Sequence, residues 1–487
     1  MRSRTKVVAS GPYTGAGRVD AARPELLASL ANASTVPFWL DDLPPIDAAG
    51  RLVGSVDADL VVVGGGYSGL WTALLAKEAD PSRDVVLLEG RTIGWAASGR
   101  NGGFCAASLT HGFRNGLERF PNELQLLDRL GRENLDAIED TLRRYDVDAQ
   151  FERTGDLSVA VEDWQVEQLR HEPAVGAEHG VNLEYLDREQ IQAEIHSPLY
   201  LAGLRDRDGV ALVHPGRLAR GLYDICLRLG VRVHEHSPAI RIEPAGAGMS
   251  VHTPYGTVRA PKVALAAGVH SSPLRRVRNY VVPVWDYVLV TEPLSAAQHE
   301  AIGWLGRPGV GDASNQFHYY RLTADNRILW GGYDAIYTFG NGLGPELEQR
   351  PETFLRLADH FFATFPQLEG IQFSHAWGGA IDTCSRFCAF WGTAHSGRVA
   401  YVAGYTGLGV GATRFGAAVM LDLLDRRSTP ATSTTFVRTK PVPFPPEPFR
   451  WAGIELTRRS IDRADRRDGR RDLWLRALDR LGLGFDS

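Results

Sequence analysis

One short run, Gly64-Gly65-Gly66-Tyr67-Ser68-Gly69, has residue types and spacing that suit a phosphate ligand. Gly64 permits a tight turn, Gly66 lets the backbone approach a pyrophosphate, and Gly69 lets a following helix lie close to a sheet. The run follows the β-branched stretch 58–63 and opens an apolar stretch, 66–79, so strand, glycine turn and helix start are expected in that order. A helix start offers free N–H groups and the positive end of a dipole to an anion. Tyr67 and Ser68 lie in this turn. About 20 residues beyond Gly69, after a second apolar run at 85–88, stands Glu89. An acid there accepts hydrogen bonds from the ribose hydroxyls of an adenine dinucleotide. Gly90 and Arg91 beside it are further candidate contacts. By itself the glycine pattern also fits an NAD-dependent dehydrogenase.

Two more segments share this bareness. In Gly94-Trp95-Ala96-Ala97-Ser98-Gly99-Arg100-Asn101-Gly102-Gly103, small residues let a backbone lie against a flat ligand. Ala97, Ser98, Arg100, Asn101 and Gly102 are its candidate contacts, the polar ones toward phosphate or ring edges. In Gly404-Tyr405-Thr406-Gly407-Leu408-Gly409-Val410-Gly411, the glycines follow an apolar strand and lead into a helix at 415–424. That helix start places positive potential beside Gly407, Leu408, Gly409 and Val410, where an anionic reduced ring would gain from it.

The elements that must carry these segments are legible as periodicities. Helices are expected near 121–145 and 215–229; in the second, Leu218, Leu222, Ile225 and Leu229 form one apolar stripe. Further short strands are expected at 231–234, 263–266 and 399–403. Residues 284–334 read as antiparallel strands with a hairpin turn at 323–326. A net charge of −5 gives no reason to expect nucleic acid. Four scattered cysteines supply neither a disulfide scaffold nor a metal site. No apolar run reaches the 18 or so residues of a membrane span, and the first 20 residues hold no signal-peptide core, so a cytoplasmic protein is expected.

Together these segments resemble the D-amino-acid oxidase superfamily of FAD enzymes. The resemblance is nearest to the branch containing γ-glutamylputrescine oxidase and related amine oxidoreductases. It rests on VVVGGGYSGLWTALLA, GWAASGRNGG, HPGRLARGL, TEPLS, RLTADNRILWGGYD, WGG and GYTGLGVGATRFGA, in that order, over residues 40–425. It implies FAD and an α/β fold of two interleaved domains. A Rossmann-like FAD domain would take 58–145, 211–275 and 381–426. A substrate domain with a mixed or antiparallel sheet would take 146–210 and 276–380. Residues 1–57 are left as an N-terminal arm, with its start disordered, and 427–487 as a helical tail. The same resemblance puts Ala239 against adenine and has Ala266, Ala267 and Gly268 close over the pyrophosphate.

Departures from the family pattern bear on the substrate. Relatives that oxidise glycine or D-amino acids resemble one another in an arginine after their Trp-x-Gly stretch, which clamps the carboxylate. Here Ile381 falls there, and isoleucine makes no bidentate pair. Asp382, next to it, is a candidate partner for a substrate ammonium. Where some relatives keep an oxygen-activating lysine, Trp330 stands, and none of the four lysines falls in an expected flavin-facing segment. Tyr320, with Tyr319 and Arg321, is expected on the substrate side. Asp382, Tyr320 and Trp330 are thus the catalytic candidates. Cys384 and Cys388 lie where some relatives attach FAD, but packing cysteines are commoner, so non-covalent FAD is expected. The expected reaction moves a hydride from the carbon beside an amine nitrogen to the flavin and yields an imine that hydrolyses to an aldehyde. Oxygen or another acceptor takes the electrons. The alternatives are a D-amino-acid or sarcosine-type dehydrogenase and a flavin-bearing subunit without activity.

Overall fold

Short β-branched runs bounded by glycine make the parallel strands of the first layer. Leu60–Val63 and Val85–Leu88 are buried at every residue, as central strands covered on both faces must be. In this computed structural model, which describes Tyr13, residues 23–270 and residues 273–483, they belong to a six-stranded sheet. Its order is Phe390–Ala394, Val399–Ala403, Lys262–Leu265, Leu60–Val63, Val85–Leu88 and Arg232–His234. All neighbours run parallel except the first pair. The helix Tyr67–Ala79 is buried almost all round, because Gly409–Asp425 and Pro215–Arg228 both pack on it. The sheet therefore draws its strands from three separated stretches of chain.

A second, nine-stranded sheet takes its strands from the stretches between. Its centre is the pairing of Val282–Thr291 with Phe373–Thr383, antiparallel, which sets Ile381 opposite Val284 and Gly379 opposite Asp286. On the other side of Val282–Thr291 follow Ile328–Gly332, His318–Leu322, Gly309–Asp312 and Asp156–Ala160. Side chains alternate between faces along each strand. One face carries Tyr287, Leu289, Tyr320, Trp330 and Ala376 into a core with Phe361 and Phe365 of the helix Pro351–Thr364. The opposite face carries Val284, Asp286, Tyr319, Gly379 and Ile381 toward a cavity between the two sheets.

Both ends of the chain are tied down where they are described. The strand Gly54–Asp57 adds in parallel to Gly256–Ala260 in a four-stranded sheet. The helix Pro24–Leu30 packs on Pro351–Thr364. The start of the arm, where disorder was expected, lies outside the described residues. At the other end the helices Phe449–Asp465 and Leu473–Arg480 reach over the cavity, which Ile454, Thr457 and Trp474 help line. Among the described residues no helix is long and apolar enough to cross a membrane.

Candidate active site

The cavity between the sheets has a volume of about 1610 Å³. A single small-molecule site typically needs about 300–1,000 Å³, so there is room for a cofactor and a substrate together. One end is the glycine turn. Gly64 has φ +112°, and a Cβ on it would meet the Ala266 carbonyl oxygen at 2.3 Å. A Cβ on Gly69 would meet the Gly64 carbonyl oxygen at 1.8 Å, so the helix lies this close only because Gly69 has no side chain. Gly66 precedes the helix, and a Cβ there would press on Ser98 Oγ at 2.9 Å. Gly64, Gly66, Tyr67 and Ser68 all line the cavity, whereas Gly69 lies behind them.

Glu89, buried at the end of its strand, organises this end. Its Oε2 accepts the Gly65 amide at 2.6 Å; its Oε1 accepts the Arg91 amide at 2.7 Å and the Trp95 indole N–H at 2.9 Å. A carboxylate has about four acceptor positions, so one remains for a ligand hydroxyl. The Arg91 guanidinium lies over the Trp95 ring at 4.1 Å. Gly90, Ala239, Ala267 and Gly268 line the cavity nearby. His270 does too, and burial lowers its pKa to about 4, so it is neutral at pH 7.

The loop 94–103 forms the next wall, and its polar groups bond within the loop and to its neighbours. Ser98 Oγ accepts the Tyr67 amide at 3.0 Å. Asn101 donates to the carbonyls of Ala97 and Ser98 and accepts the Gly103 amide. Arg100 donates to the Trp95 and Gly378 carbonyls and pairs with Glu348 at 2.8 Å. Two buried indoles fasten the loop from outside: Trp39 donates to the Asn101 carbonyl at 2.7 Å and Trp377 to the Arg100 carbonyl at 3.0 Å. Ser98, Arg100 and Asn101 were expected to face phosphate or ring edges with their side chains. All three line the cavity together with Ala97 and Gly102, and their polar side-chain atoms also bond the backbone around them.

Opposite stands the start of the helix Gly409–Asp425, with Gly407, Leu408, Gly409 and Val410 on the cavity. The turn before it is held by Asp382. That carboxylate, expected to meet a substrate ammonium, accepts the Gly404 amide at 2.8 Å, and the Asp382 carbonyl accepts the Thr406 amide at 3.1 Å. Desolvation raises its pKa to about 6 against the pull of these amides. Cys384 donates its thiol to the carbonyls of Cys388 and Gly404. Burial pushes the Cys388 thiol up to about 12 and raises that of Cys384. Both are therefore held in the protonated thiol form. Cys105 is buried in the core, and its thiol is likewise raised, to about 12.

On the substrate-side sheet the alternation of faces decides who is present. Tyr319 lines the cavity. Tyr320 and Trp330, read from the sequence as catalytic, point to the other face, where their rings stack at 4.5 Å and are fully buried. They are core residues. Arg321 shares a face with Tyr319 but lies beneath the loop, donating to the Val213 carbonyl at 2.7 Å. Among the described residues no lysine lines the cavity; Lys77 is bound to the Pro81 and Arg83 carbonyls and Lys262 to Asp425. Sequence reasoning missed Asp286. Its Oδ2 accepts the Tyr319 hydroxyl, and desolvation raises its pKa to about 6. The signal was there: one acid in the apolar run 281–290.

The glycine cradle, the bare loop and the helix start fit an extended dinucleotide on these residues. Comparison with known proteins identifies it. The family model described as "FAD dependent oxidoreductase" (DAO) matches residues 59–423. The chain is 31% identical to gamma-glutamylputrescine oxidoreductase of Escherichia coli K12 over 405 residues, 80% of this chain and 88% of that one. It is 26% identical to the probable oxidoreductase OrdL of Haemophilus influenzae over 383 residues, 75% and 83% of the two chains. Its fold is that of glycine oxidase from Geobacillus kaustophilus, with a TM-score of 0.65 at 19% identity over 79% of this chain and 99% of that one. L-proline dehydrogenase from P. horikoshii gives a TM-score of 0.63 at 17% identity, over 78% and 96%. The dinucleotide is therefore FAD rather than NAD, and the chain belongs to the DAO family of FAD-dependent oxidoreductases, which act on CH–NH or CH–NH2 groups.

Proposed function

We propose that this oxidoreductase acts on amines that carry no carboxylate beside the nitrogen. The observation that carries the reading is the wall formed by Ile381, Val284 and Asp286 on the cavity face of the large sheet. Ile381 falls where relatives that bind amino acids resemble one another in an arginine. An apolar and acidic wall offers a carboxylate neither a donor nor a positive charge, and burial makes that costly. The 31% identity to a gamma-glutamylputrescine oxidoreductase supports the same class.

Bound FAD supplies a two-electron acceptor for the C–H bond beside nitrogen. The chain's own part is to hold that carbon at near-attack distance and to exclude water from the cavity. The substrate enters as an ammonium, loses a proton, and loses a hydride from its α-carbon; the imine that results takes up water and splits into an aldehyde and ammonia or a smaller amine. Electrons leave to oxygen or another acceptor. Anaerobic mixing with a panel of primary and secondary amines, glycine, sarcosine and D-alanine tests the reading through bleaching of the flavin. Amines should bleach it and the amino acids should do so poorly. Rapid bleaching by D-amino acids with none by amines would reverse the assignment.

A further inference from the structure

Several carboxylates face the cavity, and most are already spent. Glu89 is bound to two amides and an indole, Asp382 to the Gly404 amide, Asp312 to His318, and Asp334 to Thr353 and Arg356. Asp206 accepts the amides of Asp208 and Gly209. Asp128 is paired with Arg132 and Glu172 with Arg114, which leaves Asp156 and Asp286. Asp156 lies on a strand four places from Val282–Thr291 in the sheet, which at about 4.8 Å per strand is roughly 19 Å away. Asp286 is different. Its partner Tyr319 has its ring against Gly102 of the loop 94–103, so close that a Cβ on Gly102 would meet the ring at 2.6 Å. Gly331, across the strand pair, is equally bare, and a Cβ there would meet the same ring at 2.7 Å. The phenol is thus clamped between two glycines and aimed at Asp286 Oδ2. The amides of Tyr287 and Gly332 also lie against the carboxylate, and among the described residues Tyr319 is the side chain that donates to it. Val284 and Ile381 flank the carboxylate with hydrocarbon.

We propose that Asp286, oriented by Tyr319, is the residue that receives the substrate's ammonium group and sets the preference for cationic amines. The inference rests on the amine reading above. A carboxylate fixed by a phenol and two amides keeps about one of its four acceptor positions for a ligand, and a charge-assisted bond there is worth tenfold to hundredfold in affinity. Gly102, Gly331 and Gly379 supply the space that lets phenol, carboxylate and loop backbone meet.

The test uses the FAD-loaded protein and a ligand with no hydrogen on the carbon beside nitrogen, so nothing is oxidised. Titration of tert-butylammonium against tert-butanol, followed by the flavin absorbance difference, compares a charged ligand with its neutral counterpart. The wild-type protein should bind the ammonium at least tenfold more tightly. In Asp286→Asn that ratio should fall to near one, with unchanged FAD content; in Asp286→Glu part of it should survive. Equal binding of the two ligands by the wild-type protein would overturn the proposal without any variant. If amines bleach wild-type and Asp286→Asn flavin with the same half-saturation, Asp286 is not the receptor although the amine reading stands. If no amine bleaches the flavin yet the ammonium preference depends on Asp286, the amine reading falls and the binding site stands.

Discussion

At the scale of single residues, Asp382 separates two jobs that a cavity carboxylate can do. Its bond to the Gly404 amide holds a turn where Gly404 has φ +76° and where an added Cβ would meet Cys384 at 2.9 Å. That turn leads straight to the helix start at Gly409. Asp382→Ala leaves the amide unpaired, at a cost of about 1–3 kcal/mol. We expect the variant to melt earlier and to lose FAD on dialysis. In the fraction that stays loaded, affinity for an amine should be unchanged. A variant that keeps its FAD but loses affinity for amines would return Asp382 to the role of ammonium receptor. Asp286 and Asp382 share a raised pKa near 6, so pKa alone does not tell them apart; their bonding partners do.

At the scale of elements, the loop 94–103 is fixed by its neighbours more than by its own sequence. Trp39 comes from the arm and Trp377 from the large sheet, and each ends on a loop carbonyl. Replacing Trp377 by Phe keeps most of the packing and removes one donor, leaving the Arg100 carbonyl unpaired. We expect a loss of about 1–3 kcal/mol in stability, read as a lower Tm and weaker FAD retention; an unchanged Tm and FAD content would show that the loop holds without this bond. The loop illustrates what the sequence makes legible. Its small residues announce a ligand-facing backbone, and the glycine turn announces a pyrophosphate, because both signals are local. The Asn101 side chain bonds to its near neighbours, but the placing of Arg100 is not local: it depends on Gly378 and Glu348, far along the chain. Likewise the run His318–Leu322 is legible as a strand, but which of Tyr319 and Tyr320 meets the cavity depends on pairing phase. A shift of one residue exchanges the faces, and nothing local fixes it. The helical tail was legible as helix; its place over the cavity was not, since that depends on contacts with residues far back in the chain.

At the scale of the whole molecule, two sheets close on one cavity and set a titratable carboxylate on its wall. The groups facing Asp286 are the Tyr319 hydroxyl, the amides of Tyr287 and Gly332, and the Asp334 carboxylate. Arg100, beyond Gly379, is paired with Glu348. Desolvation outweighs the hydrogen bonds and leaves the Asp286 pKa at about 6, above the ordinary 3.8. A carboxyl raised in this way binds its proton more tightly folded than unfolded. Its contribution to stability is therefore full below 3.8 and lost as pH rises through 6. Function runs the other way, because only the ionised form attracts an ammonium. The dissociation constant for an amine should fall as pH rises from 5 to 7. The limiting rate of flavin reduction should continue to rise at higher pH, because the bound ammonium must lose a proton before hydride can leave. Asp286→Asn should abolish the affinity limb near pH 6 and keep the later rise in rate. It should also flatten the decline in stability between pH 4 and 6, since Asn pays no ionisation penalty. Stopped-flow reduction at a series of amine concentrations from pH 5 to 9, with Tm measured in the same buffers, reads all three. An affinity limb that persists unchanged in Asp286→Asn would place the titrating group elsewhere in the cavity, with Asp382, also raised to about 6 by burial, the next group to replace.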